Sequence, residues 1–141
     1  MINRKAVAVF VLALASLMVL PNAHASEFDQ ATKFTFSQPV QIPGRVLPAG
    51  TYWFLVPSPN TIQIFNSDRS KVYATLLTNS AESPKPADKS TVTLAERGSM
   101  QPGAIVTWFY PGRTIGHEFR YSKQDQKEIA LAKQRTIVSG D

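Results

Sequence analysis

Residues 51–56 read TYWFLV and residues 104–110 read AIVTWFY, and these two stretches decide the fold class. Each carries apolar or aromatic side chains at successive positions, so that Phe54 falls on one side of an extended chain and Trp53 on the other. Short apolar runs bounded by turn residues are typical of strands that are covered on both faces. We therefore predict that both stretches are central strands of a sheet.

Shorter strands and turns surround these two stretches. Phe34 and Phe36 alternate with polar neighbours, as expected of a strand with one wet face. Further strands of this kind are predicted at residues 61–64 and 91–94, and two more strands at residues 72–78 and 117–121. Turns are predicted at Pro43-Gly44 and Pro111-Gly112. The pattern predicts a mostly β fold, an antiparallel β-sandwich or barrel-like sheet of about seven to eight strands.

The C-terminal part of the chain is the only place after residue 25 where a helix is predicted. Ser122 can cap it, Asp125 occupies the capping-box position, and good helix formers follow. We predict one short surface helix near residues 123–134 and a frayed tail over residues 136–141.

The first 25 residues have the composition of a secretory signal. A basic start, Arg4-Lys5, precedes an uncharged apolar run at residues 6–20, and Ala23-His24-Ala25 supplies the small residues that signal peptidases accept. As a helix this run would span only about 22 Å, which is short of the ~30 Å hydrocarbon core and disfavours an uncleaved anchor. We expect cleavage after Ala25, a single β domain over residues 26–141, export to the periplasm or beyond the cell, and no membrane span after processing.

Composition excludes several classes of protein. The chain has no cysteine, so a disulfide scaffold, a thiolate metal site and a cysteine nucleophile are impossible. Loss of Arg4 and Lys5 lowers the formal charge from +5 to +3, and the remaining cations are scattered singly among acids. Nucleic-acid-binding proteins instead carry a basic patch or stripe. We therefore expect no nucleic acid among the partners.

Catalytic patterns are missing from the sequence. His117 is the only histidine after residue 25, and the HEFRY run at residues 117–121 lacks the second histidine of the zinc-protease pattern. No serine lies in a Gly-x-Ser-x-Gly elbow, and nothing in the spacing of Glu96 and Glu118 brings these two acids together. The sequence therefore predicts no catalytic residue, no metal site and no cofactor.

Aromatic, cationic and acidic side chains are densest between residues 108 and 121. If the strands at 104–110 and 117–121 form a hairpin, several of these side chains lie close together at its loop end. The candidate binding residues are Trp108, Tyr110, Arg113, His117, Glu118 and Tyr121. Aromatic faces beside hydrogen-bonding groups suit sugars, peptides or an aromatic ligand. The alternative is core packing with polar tips at the rim.

Two motifs carry a resemblance to a known group of proteins. Residues 43–54 read PGRVLPAGTYWF, and residues 108–121 read WFYPGRTIGHEFRY. Together they resemble a group of short exported bacterial proteins without an assigned activity, and the likeness covers residues 33–133. The resemblance implies an exported β domain and carries over no catalytic residue.

Three functional classes follow from these observations. The favoured one is a secreted or periplasmic, non-enzymatic β module of the cell envelope, with a binding or structural role and an unknown envelope ligand or protein as partner. The alternatives are a small apolar-ligand carrier of the β-barrel type and an enzyme with an atypical site around His117 and Glu118.

Overall fold

The computed structural model describes residues 30–98 and 100–139. The predicted signal segment, residues 1–25, lies outside the described residues. Within them the chain forms ten strands and one helix. In chain order the elements are β1 Ala31–Phe36, β2 Val40–Ile42, β3 Arg45–Leu47, β4 Gly50–Ser58, β5 Thr61–Asn66, β6 Val72–Glu82, β7 Thr91–Glu96, β8 Gly103–Phe109, β9 Ile115–Phe119, α1 Lys123–Leu131 and β10 Lys133–Val138.

The long strand β6 connects the two layers. Its first half, to Leu77, pairs with β5, and its second half, from Thr78, pairs with β9. The first sheet therefore contains β1, β4, β5 and the first half of β6, and the second contains the rest of β6 with β9, β8, β7 and β10. The hairpin of β2 and β3 joins the second sheet through β8. The outermost strands are β1, β3 and β10, so the strands do not close into a barrel.

Aromatic rings fill the space between the sheets. The ring centroid of Phe54 lies 5.2 Å from that of Phe34 and 5.6 Å from that of Trp108, both edge to face. All three side chains are completely buried. This is the geometry that ring quadrupoles favour. The centre of the sandwich is therefore a packed aromatic core.

The predicted fold class is confirmed, with three differences in detail. The three-residue strands β2 and β3 are too short to leave a periodic signal. β2 also runs parallel to β8, whereas all other pairs are antiparallel among the described residues.

The third difference concerns the C-terminal tail. The helix begins at Lys123 with Ser122 as its cap, as predicted, but it ends at Leu131 because Ala132 is extended. The prediction of a frayed tail is wrong for residues 136–138, since Lys133–Val138 pair along β7 as strand β10. The polar start of this strand hid its β-branched end, where Ile137 packs against the core.

The Pro-Gly turns adopt the backbone that their sequences predict. Gly44 has φ +84° and Gly112 has φ +75°, a region that side chains disfavour. Gly112 closes the loop between β8 and β9 and so shapes the predicted binding region. In the part of the chain that the structure describes, no helix is both long enough and apolar enough to cross a membrane.

Candidate functional site

His117 lies on β9 directly opposite Trp108 on β8. The two rings stack with their centroids 5.7 Å apart and an angle of 27° between their planes. The predicted hairpin of β8 and β9 is therefore present, and the fully buried Trp108 forms a rigid wall behind the imidazole. This packing fixes the ring of His117.

A hydrogen bond to the neighbouring strand orients the same imidazole. Nδ1 of His117 lies 3.0 Å from Oγ1 of Thr78, a buried residue of β6. Burial of the ring lowers the pKa of His117 below its ordinary value of 6.5, because the charged form loses hydration. At neutral pH the ring is therefore uncharged, and one of its two nitrogens is committed to Thr78.

His117 lines a cavity of about 480 Å³ that opens at one end of the sandwich. The turn between β4 and β5 and the loop between β8 and β9 form its walls. The lining residues are Gln30, Val56, Pro59, Asn60, Ser80, Gly112, Arg113, Thr114, Ile115, Gly116 and His117. This volume falls in the range of small-molecule sites, and the lining combines a cation, several hydrogen-bonding groups and aliphatic walls.

The turn between β4 and β5 is held in place by the backbone. Asn60 has a left-handed conformation with φ +59°, which asparagine tolerates better than most residues. Its carbonyl oxygen accepts a hydrogen bond from the backbone N–H of Thr78 at 2.9 Å. Thr78, which binds the imidazole of His117, therefore also fixes the turn that forms the opposite wall of the cavity.

The six predicted binding residues do not form one patch. His117 and Arg113 meet at the cavity, and the backbone N–H of Arg113 donates to the carbonyl of Tyr110 at 3.3 Å. Tyr110 is half-buried and packs against the core. Glu118 is exposed, on the side of β9 opposite to His117.

Trp108 and Tyr121 belong to the core. Trp108 has no exposed surface. The hydroxyl of Tyr121 donates to the carbonyl oxygen of Ile105 at 2.6 Å, and burial raises its pKa above the ordinary value of 10. Both side chains therefore support the site from inside, as in the core-packing alternative.

A second polar cluster joins the helix to the sandwich. The side chain of Arg97, only 6% exposed, lies 3.2 Å from a carboxylate oxygen of Glu128 and 3.7 Å from one of Asp125. It also donates to the side-chain oxygen of Gln41. These contacts link α1 to the loop after β7 and to β2. The sequence did not reveal this cluster, because the partners are far apart along the chain.

A third feature is a cleft of about 490 Å³ beneath the edge strand β10. Lys133 and Arg135 line it, because they stand opposite Glu96 and the inward-facing Leu94 in the register with β7. Arg135 pairs with Glu96 at 2.7 Å. Charged side chains on an edge strand discourage the addition of a further strand. This cleft therefore has a structural explanation.

Sequence reasoning missed Thr78 and Asn60 as parts of the site. Asn60 follows a proline in a turn, which is a readable signal for a left-handed residue. Nothing in the local sequence distinguishes Thr78 from other strand threonines. Across residues 30–98 and 100–139, no group of three or more His, Asp and Glu side chains is arranged to hold a metal ion.

Comparison of the chain with protein-family models, with curated proteins and with solved structures finds no significant match. The candidate site therefore rests on its own geometry.

Proposed function

We propose that this chain is an exported, non-enzymatic module of the cell envelope that binds a small anionic ligand in the cavity beside His117. One observation carries the proposal: an oriented, uncharged imidazole and the cation of Arg113 line the same open cavity of about 480 Å³. A carboxylate or phosphate group of a ligand suits this pair, because arginine binds such groups in a bidentate manner. The aliphatic side chains of Val56 and Ile115 suit an apolar part of the same molecule.

The pair of Thr78 and His117 favours a second function, that of an atypical hydrolase. A hydroxyl beside an imidazole is the start of a nucleophile and base pair. However, Thr78 is only 4% exposed, so a substrate carbon has little access to its hydroxyl. Glu118, the acid that the enzyme alternative requires, lies on the opposite side of the strand. Binding therefore explains the arrangement better than catalysis.

The aromatic core weighs against an apolar-ligand carrier. Such a carrier encloses its ligand in the middle of the sheet. Here Phe34, Phe54 and Trp108 fill the middle, and the cavity beside His117 opens at the end of the sandwich. Its lining also includes Asn60 and Arg113, which suit a polar ligand.

Thermal-shift measurements on the exported protein test the proposal. The probes are a muramoyl dipeptide, which carries one carboxylate, N-acetylglucosamine, which is neutral, and a fatty acid. A ligand at 100 times its Kd adds about 2.7 kcal/mol to the free energy of unfolding, so a binder raises Tm clearly. We expect the muramoyl dipeptide to raise Tm and the neutral sugar to have little effect.

Three variants assign that effect to the cavity. Arg113→Gln and His117→Gln are expected to weaken binding of the muramoyl dipeptide in calorimetric titrations. Arg120→Gln removes another exposed cation, directly after β9, that does not line the cavity, and this variant should bind as the wild type does. Equal loss in all three variants contradicts the assignment. If no probe raises Tm, the result favours a purely structural role.

A further inference from the structure

Several cationic side chains lie over aromatic rings near the start of β6, the end of this strand that is farther from His117. In the turn between β5 and β6, the guanidinium carbon of Arg69 lies 3.9 Å from the ring centroid of Trp53. The ammonium nitrogen of Lys33 lies 5.6 Å from the same centroid. Trp53 therefore holds two cations at the surface of the first sheet through cation–π contacts.

Tyr73 repeats the arrangement at the start of β6. The ammonium nitrogen of Lys71 lies 5.0 Å from its ring centroid and the guanidinium carbon of Arg45 lies 5.1 Å from it. Arg45 also donates to the carbonyl oxygen of Tyr73 at 2.7 Å. Four cations, Lys33, Arg45, Arg69 and Lys71, thus surround one end of the first sheet, and we call this set the cationic end.

The turn itself is rigid. The carboxylate of Asp68 accepts the backbone N–H of Ser70, and the side chain of Asn66 accepts the backbone N–H of Lys71, both at 2.9 Å. The indole N–H of Trp53 donates to the carbonyl oxygen of Ser67 at 2.9 Å. These bonds fix the backbone of the turn that carries Arg69 over the ring.

Charge at the cationic end is unbalanced. Asp68 is the only acidic residue between residues 30 and 81, against the four cations of the cationic end. Hydrogen bonds from Ser70 lower the pKa of Asp68, so this carboxylate is ionised and engaged within its own turn. The cationic end therefore presents a net positive charge and fits an anionic partner.

An exposed aliphatic side chain lies beside these cations. Val72 follows Lys71 on β6 and is 47% exposed. Val72 also stands opposite the half-buried Phe65 of β5, which in turn stands opposite Trp53. Apolar, aromatic and cationic side chains are thus mixed at one end of the molecule.

We propose that the cationic end docks on the anionic headgroup surface of a lipid membrane. Cations beside exposed apolar and aromatic side chains suit the boundary between headgroups and acyl chains. A glycan polymer fits less well, because sugars stack on open ring faces and the guanidinium of Arg69 covers the ring of Trp53. The docked orientation leaves the cavity beside His117, at the other end of β6, directed away from the membrane.

Vesicle co-sedimentation of the exported protein tests this proposal. The probes are vesicles of phosphatidylcholine alone and vesicles that also contain phosphatidylglycerol. We expect binding only to the anionic vesicles and release by added salt, since screening weakens such contacts. Equal binding to both kinds of vesicle, or no binding to either, overturns the proposal.

Two double variants with the same net charge locate the contact. Lys33→Gln with Lys71→Gln is expected to weaken binding by about 25-fold, at about five-fold for each lost cation. The matched control, Lys85→Gln with Lys127→Gln, removes two exposed cations elsewhere and should bind as the wild type does. Equal binding by the two double variants overturns the proposal. Thermal melts check that both remain folded.

One further substitution separates a membrane from a soluble polyanion. Val72→Ser keeps all cations but removes the exposed aliphatic group opposite Phe65. We expect weaker binding to the anionic vesicles and unchanged, weak binding to dextran sulfate. Strong binding to dextran sulfate, with vesicle binding unaffected by the serine, assigns the cationic end to a polyanion and overturns the proposal.

Discussion

Gly116 lies on β9 against the end of β8, and its replacement by alanine tests the hairpin that carries His117. A Cβ atom at residue 116 would lie 2.5 Å from the carbonyl oxygen of Trp108 and 2.6 Å from Cδ1 of Phe109. Real Cβ atoms do not approach other atoms so closely. Because the nearer atom belongs to the backbone, no change of rotamer removes the clash. The two strands must separate.

The expected cost follows from two opposing terms. Inserting a methyl group into a packed region costs about 1 to 3 kcal/mol. Alanine also restricts the unfolded chain, which stabilises the folded state by about 0.4 to 1 kcal/mol. We therefore expect Gly116→Ala to lower the free energy of unfolding by about 1 to 2 kcal/mol.

Gly103→Ala is the matched control. It lies on β8, and its Cβ atom would meet the nearest atoms, both of Leu94, at 3.6 Å, an ordinary contact. Neither glycine is among those with positive φ. We expect Gly103→Ala to be neutral or to stabilise the protein by up to about 1 kcal/mol.

Equilibrium unfolding in urea, followed by tryptophan fluorescence, measures both variants. The same samples report on the site, since strand separation should shift the NMR signals of the His117 ring in Gly116→Ala only. If Gly116→Ala is as stable as Gly103→Ala, then β9 does not press on β8 as described. The description of the His117 ring as stacked on Trp108 would then be wrong as well.

Three further predictions follow from the core and the site. Trp108→Ala or Phe54→Ala should each cost about 3 to 5 kcal/mol in urea melts, whereas Lys85→Ala in an exposed loop should stay within about 0.5 kcal/mol. Tyr121→Phe should cost about 1 to 3 kcal/mol, because a buried carbonyl loses its donor, and an unchanged midpoint contradicts that hydrogen bond. Acidification from about pH 8 to about pH 5 should destabilise the wild type more than His117→Gln. The unfolded histidine binds its proton near pH 6.5 and the folded one only at lower pH, so equal pH profiles contradict the burial of His117.

Much of the fold could be predicted because strand signals are local. The alternation of Phe34 and Phe36, and the two-sided apolar pattern around Phe54, both follow from the period of two in a strand. The Pro-Gly turns were also readable, since their backbone conformations depend on residues i+1 and i+2 alone. Strand β10 was missed because its pairing with β7, and not its own composition, makes it a strand.

The site could be predicted only in part. The sequence pointed to the segment around His117, and the structure places His117 and Arg113 at one cavity. It could not separate these two from Trp108 and Tyr121, because burial depends on what the opposite sheet places over each side chain. Thr78, which orients the imidazole, is 39 residues away along the chain.

The sequence by itself determined the β class, the turn positions, the helix cap at Ser122 and the absence of cysteine chemistry, since each depends on residue identity or on neighbours within a few positions. Only the tertiary structure decided which strands pair, that β6 serves both sheets, and that the cations of residues 30–81 gather around Trp53 and Tyr73. The physical reason is the range along the chain over which each kind of interaction acts. Backbone preferences act within a turn or a strand, whereas cavities and charged surfaces arise from contacts between residues that folding alone brings together.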